Sequence, residues 1–468
     1  MAKRTFVHPY IPNSVPEVRA EMLKAIGAKD AEELYSEMIP QRLRLKRAMR
    51  MPEPIVSEHD LKRHVEQVLS KNRTGKDNLI FMGGGCAPHH VPAVCDEIAR
   101  RAEFLTAYSG EYYSDLGRFQ AYFEFQSLIG ELVGMDVACV PTYDWGTAAG
   151  HAARMASRLT RRKEMVFAGS VSPGRRSIVQ NFCGPAAMRD SISVKSARYD
   201  SSSGTVDIED LKRGVSKKTA CVYMENPSYL GTIEADPKAV AEIAHDRGAL
   251  FIVGVDPISL GVLAPPSEYG ADLVCGDIQS LGVHMHCGGG LGGFIASRDD
   301  ERYVAEYPLH LVSVAGTAQD GERGFGYCRF DRTSYVLRDK AKDWVGTSSG
   351  LWSIVSAVYL SLMGPQGMKE VGEAILQKSH YASGRIARVT GLKVRFPSFF
   401  KEFVVNYDGA DRTVAKVNRA LVGRGIFGGI DLTRGFPELG QSALYCVTEV
   451  HSKDDMDRLV GALKAVVA

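Results

Sequence analysis

From residue 76 to about residue 330 the chain repeats one pattern: a short apolar run, a turn, then a longer amphipathic stretch. The runs are VACVP, EMVFAG, TACVYMENP, ALFIVGVD, DLVCGD and GGFIAS. Between them lie helical segments such as GRFQAYFEFQSLIGELVG (117–134) and DPKAVAEIAHDRG. Strands that read as unbroken apolar runs are covered on both faces, and the intervening helices are the crossovers that parallel strands need. The pattern therefore predicts an α/β fold with a mainly parallel sheet. In such sheets ligands sit beyond the carboxyl ends of the strands. The residues to read are then Tyr143, Asp144, Ser170, Glu225, Asn226, Asp256 and Asp277.

The flanks have a different character. Residues 1–75 read as a helical N-terminal arm. SVPEVRAEMLKAIG carries a serine cap, an early proline and glutamate, and a glycine stop, and SEHDLKRHVEQVLSKN reads as a further helix. The basic run QRLRLKRAMR (41–50) fits either an anion-binding patch or a solvated extended segment, and Pro52 and Pro54 favour the second. A helical stretch over 345–390 leads into KEFVVNY, TVAKVNRALVGRG, ALYCVTEV and SKDDMDRLVGALKAVV, which suggest a small α+β layer. The expected domains are the arm (1–75), a large α/β domain (76–345), and a long helix with a small C-terminal domain (346–468).

With 468 residues, 45% of them hydrophobic, the chain can bury a large core. A net charge of +2 gives no reason to expect nucleic acid or an anionic membrane as partner. The nine cysteines form no CxxC pair, which argues against a disulfide framework and for a reducing cytoplasm. The opening MAKRTFVHPYIPNSVPEVRAEML has no apolar core of the signal-peptide kind.

Several clusters carry possible chemistry, each beside a plainer reading. Asp256, ending LFIVGVD, suits pairing with the ring nitrogen of pyridoxal phosphate (PLP), or simply a turn before Pro257. PTYDWGTAAGHAARMA (141–156) places small residues at a strand-to-helix junction, where free N–H groups can hold a phosphate. It has neither a Walker lysine nor GxGxxG spacing. TAYSGEYYSDLG (106–117) gathers Tyr108, Tyr112 and Tyr113, and MGGGCAPHHVPA (82–93) allows close backbone approach or a tight turn. His284 and His286, in HMH, read as loop histidines lining a cleft rather than as a metal pair. No lysine occurs between Lys238 and Lys340, so a cofactor lysine would have to come from elsewhere.

The segments EFLTAY, FEFQSLIGELVGMDVA, TYDWGTA, IAHDRGALFIVGVDPISLGVLAPPSEYGADLV, AVYLSLMGPQGMKEV and GIDLTRGFPELGQSALYCVTE resemble the N-terminal half of glycine decarboxylase. That enzyme is the P-protein of the glycine cleavage system, here in the form whose N-terminal half is a separate alpha subunit. The similarity runs from YIPNSVPEVRAEMLKAIG to the last helix. It implies a PLP-dependent transferase-like fold of the aspartate aminotransferase kind, fold type I. It implies that PLP is held by a lysine of a beta-type partner subunit, in an αβ or α2β2 assembly, and not by this chain. The position matching that lysine falls close to Leu281. The implied activity is that of glycine dehydrogenase (aminomethyl-transferring): glycine is decarboxylated and its aminomethyl group passes to lipoylated H-protein. The residues expected to line the cleft are Tyr108, Tyr112, Tyr143, Asp144, Thr147, Asp256 and His284, with no metal and no catalytic residue assigned.

The cleft-facing segments depart from the family pattern. YDGATA reads YDWGTA, which introduces Trp145, and GEGQPLGIPLSFGGPYLG reads GDIQSLGVHMHCGGGLGG. Framework segments match while these differ. That leaves room for a paralogous subunit serving another amino acid or amine, or for a silent scaffold of the partner.

Overall fold

The protein is described from a computed structural model over residues 7–8, 10–47, 49–105, 116–184, 189–288, 292–329, 331, 334–337, 341–342 and 349–467. Two compact units divide at Arg73 and Thr74. The first holds helices α1 (Pro16–Ala25), α2 (Ala31–Met38) and α3 (Glu58–Leu69). The expected serine cap on α1 is not formed: Val15 is the N-cap, and Ser14 Oγ instead accepts the His8 N–H at 2.7 Å. Pro16 starts the helix without help, because its fixed φ is already helical and it has no N–H to satisfy. Asp30 and Ser57 cap α2 and α3, accepting from Glu33 and Asp60. No described residue of this unit is buried.

The second unit is built on a seven-stranded sheet of β1 (Val137–Ala138), β2 (Glu164–Ala168), β3 (Ser193–Ala197), β4 (Thr219–Glu225), β5 (Leu250–Val255), β6 (Leu273–Asp277) and β7 (Gly293–Ser297). Their order is β1-β7-β6-β5-β4-β2-β3. Strands β2 to β6 pair in parallel, while β7 runs antiparallel to both β6 and β1. Side chains alternate between two cores, as strand pleating requires. Phe251, Val253 and Val255 enter one with Phe125, Val274 and Leu360; Ile252 enters the other with Ala149, Phe167 and Tyr223. The covering helices include α4 (Leu116–Val133), α5 (Trp145–Thr160) and α6 (Pro173–Cys183).

A hairpin of β8 (Leu311–Gly316) and β9 (Arg323–Cys328) follows, and then α7 (Gly350–Ile386). Helix α7 is interrupted at Gly364, whose φ of 58° precedes Pro365. The C-terminal layer is an antiparallel sheet of β10 (Lys393–Val394), β11 (Glu402–Asn406), β12 (Ile430–Asp431) and β13 (Ser442–Cys446), in the order β10-β11-β13-β12. Leu79–Ile80 pairs in parallel with Ile426–Phe427, and Phe81 shares a core with Phe403 and Tyr445. The first body segment thus belongs physically with the last layer. Among the described residues no helix is long and apolar enough to cross a membrane.

Candidate functional site

Three parallel strands end in or beside acids: β4 in Glu225, β5 just before Asp256, and β6 in Asp277. Asp256 and Asp277 line a cavity of about 30 Å³ together with Trp145, Arg175, Ser280, Lys401 and Glu402, and Glu225 is tied to it through Arg175. Helix α5 supplies Trp145 and the first turn of α6 supplies Arg175. Lys401 and Glu402 come from the C-terminal layer, where Glu402 starts β11.

Two ion pairs fill this space. The Arg175 guanidinium donates from Nε and a terminal nitrogen to the two Glu225 oxygens, at 2.7 and 2.6 Å. It also lies 4.0 Å over the Trp145 ring, and Tyr223 donates to Glu225 at 3.2 Å. A bidentate, stacked guanidinium of this kind is held in one place by all its partners. The second pair joins Lys401 Nζ to Asp256 Oδ2 at 2.6 Å, a charge contact without hydrogen-bond alignment at that oxygen. Ser280 donates to Asp256 Oδ1 at 3.1 Å.

The second pair continues outward. Lys401 Nζ lies 3.1 Å from His89 Nε2, and His89 Nδ1 lies 2.9 Å from Glu449 Oε2. Because an ammonium only donates, His89 accepts at Nε2 and therefore carries its proton on Nδ1, toward Glu449. Burial would raise the Glu449 carboxyl, but His89 and the His90 N–H outweigh it and hold the group down at about 2. Burial likewise opposes ionisation of Asp256, and the Lys401 charge overcomes it, so its acidity rises. Asp277 has no such ion pair among the described residues, although the Arg175 charge lowers it. Burial pushes it up to about 7, against the Gln279 N–H bond of 2.6 Å and with Asp144 and Asp256 adding to the rise. Burial also raises Glu402, whose Oε1 accepts the Gly84 N–H at 2.5 Å. Gly85 must be a glycine here: its φ is +108°, and a Cβ would lie 2.7 Å from an Arg175 nitrogen.

The sequence-derived candidates separate. Asp256 lines the cavity. Asp144 and Thr147 form a capping box on α5, with Thr147 N–H bonded to Asp144 at 2.7 Å. Tyr143 is half exposed beside that cap. His284 is exposed and pairs with Asp96 at 2.9 Å, while His286 packs on Trp352. Tyr108 and Tyr112 lie outside the described residues. Leu281 is a fully buried core residue. Lys401 and Arg175 were not read from the sequence. A signal for Lys401 existed, a lone cation inside the apolar run SFFKEFVV.

The residues present do not fit PLP. The aspartate suited to its ring nitrogen already holds Lys401. That lysine is at the wrong end for covalent attachment, because the aldehyde carbon is para to the nitrogen. Trp145 and the ion pairs leave space for little more than a water molecule or two, far below the roughly 300 Å³ at which ligand pockets begin. At the start of α5, where a phosphate would sit, the Asp144 carboxylate already accepts the Thr147 N–H.

Comparison with known proteins agrees with this architecture. A family profile described as "Glycine cleavage system P-protein" matches residues 8–463. A Staphylothermus marinus protein named "Probable glycine dehydrogenase (decarboxylating) subunit 1" is 36% identical, over 98% of each chain. A Moorella thermoacetica protein of the same name is 37% identical, over 98% of this chain and all of its own. A solved structure of "glycine decarboxylase (P-protein) of the glycine cleavage system, in inhibitor-bound form" superposes with a TM-score of 0.85 at 32% identity, covering 98% of this chain and 100% of that one. A sphingosine-1-phosphate lyase from Burkholderia pseudomallei, 17% identical, shares the fold with a TM-score of 0.63, over 92% of this chain and 94% of its own.

Proposed function

Because this chain belongs to the family of the glycine cleavage system P-protein, we propose that it is subunit 1 of a two-subunit glycine dehydrogenase (decarboxylating). It works with a second subunit that carries both the cofactor lysine and PLP. Bound there, PLP supplies an electron sink for loss of CO2 from glycine, and the aminomethyl group goes to lipoylated H-protein. The observation that carries this reading is the filled cleft: Lys401 on Asp256, Arg175 on Glu225, and about 30 Å³ of space between them.

The chain's own residues then have a supporting task. The two ion pairs and the α5 capping box hold the carboxyl ends of the strands rigid, without presenting an unpaired amine. Half-exposed Tyr143 and the His284–Asp96 pair are the candidates for facing the partner's site. The division into an arm, a large α/β domain and a small C-terminal domain belongs to the same proposal, as does a cytoplasmic location. All nine cysteines are free, in keeping with a reducing compartment.

The test is reconstitution. The full chain alone, mixed with PLP, acquires no visible cofactor absorbance and no borohydride-fixed adduct. With the second subunit both appear, and glycine drives exchange of labelled bicarbonate. An adduct fixed on this chain alone overturns the proposal, and Lys401 is the first place to look for it. Cofactor binding by the pair without glycine-dependent exchange points instead to a different amino acid or amine.

A further inference from the structure

A second cavity lies at the opposite end of the sheet from the cleft. It measures about 560 Å³ and sits beside the C-terminus of α5, where Lys163 and Ile192 lead into the amino ends of β2 and β3. That volume is of ligand-pocket size, whereas the cleft between the two ion pairs holds about 30 Å³. The cavity shares no lining residue with the cleft. Strand polarity does not mark this end of a parallel sheet for binding, so the case for a ligand rests on its side chains.

Five cations line it: Arg154, Arg158, Arg161, Lys163 and Lys342, against the two carboxylates of Asp190 and Glu306. Glu306 fixes two of the five. Arg158 donates from Nε to its carboxylate at 2.6 Å and from a terminal nitrogen to its carbonyl at 2.9 Å, and Lys342 lies 3.0 Å from its other carboxylate oxygen. Lys163 donates to the Arg189 carbonyl and to Asp190, both at 2.9 Å. Both carboxylates are therefore taken, and Arg161 makes no ion pair among the described residues. Cations at a helix C-terminus complement its dipole without any ligand. That accounts for Arg158 and Arg161, but not for Lys163 and Lys342, which reach the same space from the approach to β2 and from beyond the β8–β9 hairpin. Arg161 also has φ 57°, a position at the end of a helix where glycine is the cheaper residue.

We propose that this cavity binds a small phosphorylated anion of at least two negative charges, with Arg158 and Lys342 at its base and Arg161 and Lys163 at its rim. The excess of cations over carboxylates in the lining sets the charge of the ligand. Arginine sets its kind, because a guanidinium fork matches the oxygens of a phosphoryl group and makes charge-assisted hydrogen bonds to them. The Glu306 contacts hold the base in place before a ligand arrives: the Arg158 and Lys342 side chains are 24% and 35% exposed, against 50% for Lys163. Nucleic acid is the less suitable occupant. A phosphate backbone needs a cationic track, whereas here the excess is gathered in one concavity of a chain whose net charge is +2. The proposal is independent of the subunit reading.

Isothermal titration of the full chain with sodium pyrophosphate, free of divalent cations, tests the proposal. The comparisons are sodium citrate as ligand and the variants R161G and R161G/K163A. The expected result is saturable binding of pyrophosphate, tighter than that of citrate, weakened by added salt and about tenfold weaker in R161G/K163A. R161G removes a charge while easing the backbone at φ 57°, so it weakens binding with a thermal midpoint no lower than wild type, which separates lost binding from lost folding. Absence of pyrophosphate binding by the wild-type chain overturns the proposal. So does equal affinity in both variants, which would place the anion elsewhere, for example on the basic run 41–50. Citrate bound as tightly as pyrophosphate overturns the phosphoryl assignment, and a short single-stranded RNA that displaces pyrophosphate at lower concentration overturns the small ligand.

Discussion

Lys401 and Asp277 show opposite solutions to the same problem of burying charge. Lys401 has Asp256 against it, and losing either leaves the other charged and unpaired. The variant K401A is expected to lose about 3–5 kcal/mol in urea unfolding, and the double variant D256N/K401M to recover most of it. Asp277 forms no ion pair among the described residues, and burial raises its carboxyl to about 7 despite the Arg175 charge. The folded state therefore binds a proton that the unfolded chain has already released above about pH 4. That proton's contribution to stability is full below about pH 4, declines as pH rises to about 7, and is flat beyond. D277N keeps an acceptor for the Gln279 N–H and cannot ionise. Relative to wild type it should gain about 3 kcal/mol on going from about pH 5 to about pH 8, measured by denaturant midpoints. A gain in the opposite direction would mean that Asp277 is ionised in the folded protein.

At the scale of elements, helix α7 carries a defined break. Gly364 combines φ 58° with ψ −176°, a region open to glycine alone, and nothing lies within 4 Å of the position a Cβ would take. G364A is therefore expected to cost about 1–3 kcal/mol through backbone strain alone, seen as a lower thermal midpoint with unchanged circular dichroism. The sequence reads as one helical stretch over 345–390 and that break was not marked, whereas the six apolar runs correspond to β1, β2, β4, β5, β6 and β7. Strand β3 was not legible. SVKSA lies at the sheet edge with only Ala197 buried, so it has neither the apolar run of a central strand nor clean alternation. Asp256 was legible because it ends a strand. Its partner Lys401 was not, because pairing between layers follows from tertiary packing and leaves no periodic trace in the chain. The Asp144 and Thr147 side chains looked like site residues for the same local reason that makes them caps: both roles use a polar group at the start of a helix.

For the whole molecule, the two units predict unequal resistance to proteases. No described residue of 7–73 is buried, whereas residues 74–468 contain four apolar cores. Limited proteolysis of the chain alone should cut first within the arm and leave a persistent fragment beginning near Thr74. Early cleavage inside the seven-stranded sheet would contradict this division.

The pairing of Leu79–Ile80 with Ile426–Phe427, and of His89 with Glu449, has a consequence for the order of events during synthesis. A ribosome delivers residues 79–89 long before it delivers their neighbours in space. Until the last helix emerges, Phe81 has no C-terminal core to enter, His89 lacks its carboxylate, and Asp256 waits for Lys401. The nascent chain can assemble its central sheet early, but its oldest body segment is among the last to find a home.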